Sequence, residues 1–359
     1  MSKGQRLLVV GFDGLDFELF KAHSRLDLPV VELFSPVPVT GPAWTSIYTG
    51  VGVQAHGIRD VHARARSHQI VRGRPRLDRL AWFVYDICVR LGLKKAPSRD
   101  RTTRTTPAAY LWDLLSEAGV SVKLVNMPVT WPARPVNGCY VAGFPLPPGR
   151  GRWTWPTDLR KRLPEDYWQM SDIINWFVYL PRDGIGSWRE PARRYGLEAL
   201  LERAEELSCG LVEFAGSLPE ADLTMIQFSF IDRIGHAFGV EGAAEEGGYA
   251  LVDRLIQEAG QRLGEGADLM VVSDHGFQGS DHTNSGVLAH DGFLAGEDSP
   301  KRARVYDIAA TVLAYFDIRS GVPVQWGGAG PGRSDAEGSE REQAEAAELR
   351  ERLEQLGYF

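Results

Sequence analysis

The sequence predicts an α/β fold: a doubly wound, mostly parallel sheet with an inserted cap region. Three observations point there. The apolar runs at 7–12 and 268–273 are nearly continuous rather than alternating, as expected of strands covered by helices on both faces. Helix-like and strand-like stretches alternate, with glycine as punctuation, over 107–143 and again beyond 196. Polar residues able to bind metals stand directly after the apolar runs, at the strand ends where open α/β sheets place their ligands.

Taken in order, the first strand ends in Asp13-Gly14-Leu15-Asp16, and Asp13 either faces the ligand crevice or caps the next helix. A short extended segment leads to Thr40-Gly41-Pro42, with Pro42 at a favoured first-turn position of a helix running to about residue 48. Free N–H groups and the helix dipole at that terminus favour an anion. Thr40 there is either an N-cap or a nucleophile stabilised by the same terminus. Residues 108–118 read as a helix stopped by Gly119, and 120–125 as a strand. Residues 197–218 form a long amphipathic helix and 222–230 a strand, followed by Asp232-Arg-Ile-Gly-His236. A helix over 249–263 leads into the strand ending at Asp274-His275-Gly276, and a last core helix spans 305–315.

Two segments break the alternation. Between residues 61 and 106 there are 12 Lys/Arg against 3 Asp, an excess of nine positive charges around an apolar helix expected over 80–91. Most of these charges form a solvated face, and a minority suit an anionic substrate, since guanidinium matches phosphate geometry. Residues 144–195 are rich in Pro, Gly, Trp and Tyr and read as a cap whose aromatics pack a small core or stack on a substrate ring. The division is therefore 1–60, 107–143 and 196–333 as core, 61–106 as basic insertion, 144–195 as cap and 334–359 as acidic tail.

Composition narrows the function. With 359 residues, 43% apolar and 24% charged, the chain is an ordinary globular protein able to bury a full core. A net charge of −7 argues against general nucleic-acid affinity. Cys88, Cys139 and Cys209 are widely spaced and form no CxxC pair, which argues against a disulfide framework or thiolate metal site. The first apolar run is too short for a signal peptide and no run approaches a membrane helix, so a cytoplasmic protein is expected.

The residues at the strand ends are Asp13, Thr40, Asp232, His236, Asp274, His275 and one of His282 or His290. Carboxylates with imidazoles suit zinc, and manganese takes similar donors. The set is too large for one metal and right for two, the arrangement that clamps both oxygens of an in-line phosphoryl displacement. Asp232 and His236 converge if their segment is helical, being four residues apart.

In order, Gly11-Phe-Asp13-Gly14, Thr40-Gly-Pro-Ala-Trp-Thr-Ser-Ile-Tyr-Thr-Gly50, Ala55-His-Gly-Ile58, Asp232-Arg-Ile-Gly-His236 and Ser273-Asp-His-Gly276 resemble the alkaline phosphatase superfamily. The nearer likeness is to type I phosphodiesterases and nucleotide pyrophosphatases and their microbial phosphohydrolase and phosphomutase relatives. The resemblance implies one divalent metal on Asp13, Thr40, Asp274 and His275, with Thr40 the nucleophile of a phospho-threonine intermediate. It implies a second on Asp232, His236 and His282, because the run beginning His282-Thr-Asn-Ser matches the last ligand motif better than His290 does. One departure stands out: Ile58-Arg59-Asp60 is followed by Val61, where nucleotide pyrophosphatases carry an asparagine that holds a phosphate oxygen. The Gly41 N–H or an arginine of the basic stretch would replace it, which weakens a nucleotide substrate more than phosphoryl transfer. A sulfatase is disfavoured, because its nucleophile lies in a Cys/Ser-x-Pro-x-Arg context.

The expectation is a two-metal phosphohydrolase with two divalent ions, zinc first, acting on a small phosphorylated diester or monoester, with neither nucleic acid nor membrane as partner. The rivals are a phosphomutase or phosphotransferase on the same site, and a metal- or ligand-binding module without turnover.

Overall fold

The computed structural model of the chain describes residues 5–58, 106–146, 152–173, 189–294 and 302–318. The basic stretch up to residue 105 with its expected helix, the Arg59-to-Val61 departure and the acidic tail lie outside them. In chain order come β1 (Leu7–Phe12), α1 (Phe17–His23), β2 (Val30–Phe34), α2 (Thr40–Thr49), α3 (Val53–His56), α4 (Leu111–Glu117), β3 (Val122–Met127) and β4 (Gly138–Ala142). Next are β5 (Thr154–Trp155), a 3-10 turn (Thr157–Arg162), α5 (Tyr167–Ser171), α6 (Arg189–Tyr195) and α7 (Leu197–Gly216). The last part holds β6 (Leu223–Phe228), α8 (Phe230–Phe238), α9 (Val240–Glu245), α10 (Gly248–Leu263), β7 (Asp268–Ser273), β8 (Gly276–Gln278), β9 (Asp281–Thr283), β10 (Ser285–His290), β11 (Arg302–Arg304) and α11 (Asp307–Tyr315).

Among the described residues nine strands form one sheet in the order β11-β2-β10-β7-β1-β6-β3-β4-β5, and β8 with β9 makes a separate hairpin. The strands from β7 through β4 are mutually parallel; β10 and β5 run against their neighbours. The expected α/β fold with a mostly parallel sheet is borne out. Every residue of β1, β3 and β6 is buried, the reason β1 reads as an unbroken apolar run, while β3 and β6 also bury polar residues (Lys123, Asn126, Thr224 and Gln227).

Register positions the site. Phe12 pairs with Phe228 on one side and with Ser273 on the other, so β6, β1 and β7 stop at one level. Such neighbours lie about 4.8 Å apart. The residues that follow each strand, Asp13, the start of α8, and Asp274-His275, therefore emerge side by side.

α2 docks over this edge with all ten residues buried. Two of its hydroxyls bond along the helix, Thr45 Oγ1 donating to the Gly41 carbonyl and Thr49 Oγ1 to the Thr45 carbonyl, both at 2.7 Å. Gly11 makes the close approach possible: a β-carbon there would lie 2.6 Å from the Trp44 ring.

Some boundaries differ from the sequence expectation. The strand expected over 222–230 ends at Phe228, because Phe230, Ile231 and Ile234 bury their side chains with helical spacing in α8. The helix expected from 108 starts at Leu111, where the Asp113 carboxylate folds back to accept from the Tyr110 N–H and pairs with Arg134. In the 144–195 segment, β5 joins the edge of the main sheet, and Trp153, Trp155 and Trp168 pack against the main core. Among the described residues no helix is long and apolar enough to cross a membrane.

His56 shows what the Ala55-His-Gly-Ile58 motif does locally. It is fully buried, its Nδ1 accepts from the Ile58 N–H at 3.0 Å, and its Nε2–H therefore donates to Ser46 Oγ at 3.2 Å on α2. Burial lowers its pKa to about 4 from the usual 6.5. A histidine held neutral in the fold contributes stability that is complete above pH 6.5 and lost as pH falls through 4. Between those values the native chain should lose up to about 3 kcal/mol more unfolding free energy than a His56→Asn variant, by urea titration. Parallel pH dependences for the two would refute this.

Candidate metal centre

The first cluster gathers at the ends of β1 and β7. Asp13, Asp274 and His275 are fully buried, and one donor atom from each lies within 4.8 Å of the others. His275 Nε2 stands 3.4 Å from Asp13 Oδ1 and 3.4 Å from Asp274 Oδ2. The Asp274 Oδ1 atom accepts from the Gly14 N–H at 3.2 Å. Gly14 adopts φ +75°, and a β-carbon there would fall 2.5 Å from the Phe277 ring and 3.0 Å from Asp232 Cβ.

Thr40 reaches this cluster from the N-terminus of α2. The helix cap is Val39, with no side-chain cap bond, and Thr40 Oγ1 donates instead to Asp13, 3.2 Å from Oδ1 and 3.4 Å from Oδ2. Asp13 is no cap either, since Asp16 accepts from Glu18 and Leu19 at the start of α1. Gly41 lies in the first turn of α2, whose N–H groups have no carbonyl partner within the helix.

The second cluster joins Asp232 and His236, one turn apart on α8, to His282 on the β8–β9 hairpin. Asp232 Oδ1 is 3.1 Å from His282 Nε2 and 3.5 Å from His236 Nε2. His290 goes elsewhere. It ends β10 opposite Met270, near the start of β7 and thus at the far edge of the sheet.

Phe277 makes edge-on contacts with His236 and His282 at 5.1 and 4.9 Å, and His275 stacks on His282 at 3.8 Å. Backbone carbonyls orient the rings: His236 Nδ1 meets Ser280 O at 3.1 Å, His275 Nδ1 meets Gly276 O at 3.2 Å and His282 Nδ1 meets Pro38 O at 2.7 Å. A carbonyl only accepts, so each Nδ1 carries a proton and each ring turns its Nε2 toward the carboxylates.

These donors fit cations. His236 Nε2 and His282 Nε2 are 2.9 Å apart, and two lone pairs at that distance repel unless a proton or cation intervenes. Asp274 Oδ2 and His275 Nε2 are buried without a hydrogen-bond partner among the described residues, an arrangement costly to leave unfilled. Burial and neighbouring Asp13 raise the Asp274 carboxyl well above the usual range. Burial lowers the His275 pKa, but Asp274 and Asp13 outweigh it and bring the ring to about 9. Burial would also raise Asp232, yet Arg233, His236 and His282 hold it well below the carboxylate range.

The structure adds two residues to the site that sequence reasoning missed. Arg233 donates through Nη1 to Asp232 Oδ2 and through Nε and Nη2 to Asp172, at 3.1 and 2.9 Å to Oδ2. Arg233 had a signal, its place beside Asp232. Asp172, just past α5, had none.

The chain matches the family model for type I phosphodiesterase / nucleotide pyrophosphatase over residues 7–356. No curated protein matches it. Among solved structures it is similar to a murine ectonucleotide pyrophosphatase / phosphodiesterase 5, inactive and in complex with AMP. That match has 16% identity and a TM-score of 0.37, covering 76% of this chain and 57% of that one, so the chain spans little over half that protein's length. It is similar to the phosphonate monoester hydrolase of Agrobacterium radiobacter, with 12% identity, TM-score 0.44, and 92% and 79% coverage. A 2-O GAG sulfatase gives 10% identity, TM-score 0.43, and 90% and 73% coverage.

Protons held by the metal-free site should leave when a cation enters. With His275 at about 9, metal affinity is expected to rise from pH 6 to pH 9 and to level off above. The same proton stabilises the metal-free fold below pH 6.5, a contribution lost as pH rises through about 9. Calorimetric zinc titrations at pH 7 in two buffers of different ionisation enthalpy should show net proton release; none would contradict the assignment.

Proposed function

The chain belongs to the type I phosphodiesterase / nucleotide pyrophosphatase family of the alkaline phosphatase superfamily, and we propose that it hydrolyses a phosphoric ester through Thr40. The observation that carries this reading is the Thr40 hydroxyl, unspent on capping its own helix and donated to both oxygens of Asp13.

Asp13, Thr40, Asp274 and His275 would hold one divalent cation, and Asp232, His236 and His282 the other. Three carboxylates and three imidazoles favour zinc, with manganese as the alternative. Bound there, the cations would acidify the threonine hydroxyl and water and offset charge on the transferring phosphoryl group.

Asp13 orients Thr40 Oγ1 and accepts its hydrogen bond. Oγ1 attacks phosphorus, and the bond from phosphorus to the departing alcohol breaks as that oxygen takes up a proton. Water then attacks phosphorus in the phospho-threonine, the bond to Oγ1 breaks, and Thr40 regains its proton. The first-turn N–H groups of α2, Gly41 among them, face the phosphoryl oxygens with the positive end of the helix dipole. This donor is the proposed replacement for the asparagine that Val61 displaces. Buried surroundings strengthen each of these contacts relative to water.

Turnover of bis-p-nitrophenyl phosphate should be compared with that of the monoester after loading with zinc or manganese. Thr40→Ala is expected to lower kcat/KM by roughly 10³-fold or more at saturating metal. Unchanged turnover in that variant would remove Thr40 as nucleophile. Free phosphate or the product monoester, rather than transfer to an added alcohol, separates hydrolysis from phosphotransfer.

A further inference from the structure

We propose that Asp172 and Arg233 are positioning residues of the metal centre, a buried pair that confines Asp232 to a single ligating oxygen and ties the 152–173 segment to the site. The proposal rests on the two-cation reading above. Arg233 follows Asp232 on α8 and is 8% exposed; Asp172 is fully buried. The guanidinium touches three carboxylates. Nη1 donates to Asp232 Oδ2, Nε and Nη2 fork onto Asp172, and Nη2 lies 3.8 Å from Asp13 Oδ2. The Phe144 ring covers it at 5.2 Å.

The consequence is a division of labour within Asp232. Its Oδ2 belongs to Arg233, while its Oδ1 faces His282, His236 and His275 at 3.1, 3.5 and 3.9 Å. Turning the carboxylate to chelate a cation with both oxygens would break the bond to Arg233. Asp172 has the complementary task. The arginine stands at the margin of both clusters, close enough to Asp13 to compete with a cation for it. A fork of charge-assisted hydrogen bonds to Asp172 draws it back. Removing either member of this buried pair leaves part of the other's charge uncompensated.

The test is stepwise zinc affinity, by chelator competition on the full-length metal-stripped protein, for the native chain, Asp172→Asn, Arg233→Lys, Arg233→Gln and the double variant Asp172→Asn/Arg233→Gln. Asp172→Asn and Arg233→Gln should each weaken one of the two sites by about 10- to 100-fold and the other much less, as losing an outer partner of a metal ligand does. Arg233→Lys keeps the charge without the fork and should fall between. The double variant should be no weaker than the worse single one, as for residues acting as one unit. Where Arg233→Gln does not fold, Asp172→Asn, nearly isosteric, decides. Unchanged affinities, or equal weakening of both sites, overturn the proposal. A native chain that binds fewer than two zinc ions instead overturns the two-cation reading.

Discussion

Asp13, Asp232 and Asp274 are held together out of water because the strands that deliver them are hydrogen-bonded neighbours ending at one level. Like charges do not gather in a dry space unaided. The parallel register imposes the proximity, and the price is met by whatever positive charge the site can find. In the chain itself that charge is Arg233 and the proton on His275. Around this constraint the other features fall into place: ring orientation by backbone carbonyls, a glycine at position 14 where a side chain would collide, and Phe277 as a dry wall beside the imidazoles.

The same constraint accounts for the two-sided character of the centre. β1 lies between β6 and β7, so Asp13 is adjacent on one side to the start of α8, which carries Asp232 and His236, and on the other to Asp274-His275. Its backbone carbonyl accepts from the Asp232 N–H at 3.1 Å, and its carboxylate faces Thr40 and His275. A displacement of β1 would therefore disturb both clusters at once. The hairpin of β8 and β9 closes the second cluster from above, fixed by the Phe277 N–H on Asp16 and by His282 on the Pro38 carbonyl.

Much of this was legible in the sequence. Strands buried on both faces leave continuous apolar runs, and residues that follow them directly inherit a known position, which is why Asp13 and Asp274-His275 could be placed. The helical turn that brings Asp232 to His236 was readable from their spacing. β10 was not, being six residues of mixed polarity, and its antiparallel course is what separates His290 from His282. Asp172 was illegible for a different reason. Its role comes from contact with a residue 61 positions away, and no local pattern encodes such a contact.

The notch at Gly11 has a consequence beyond packing. Gly11 precedes Asp13 by two residues on one element, and Trp44 follows Thr40 by one turn on the other. The strand and the helix thus meet at two points, the ring seated in the notch and the hydroxyl on the carboxylate. Two contacts fix a lever where one would leave it free to rock. The depth of a missing side chain, remote from any reacting atom, acts as the gauge that sets the reach of the hydroxyl. The separation of the Thr40 hydroxyl from Asp13 is thus set by an apolar contact one helical turn away.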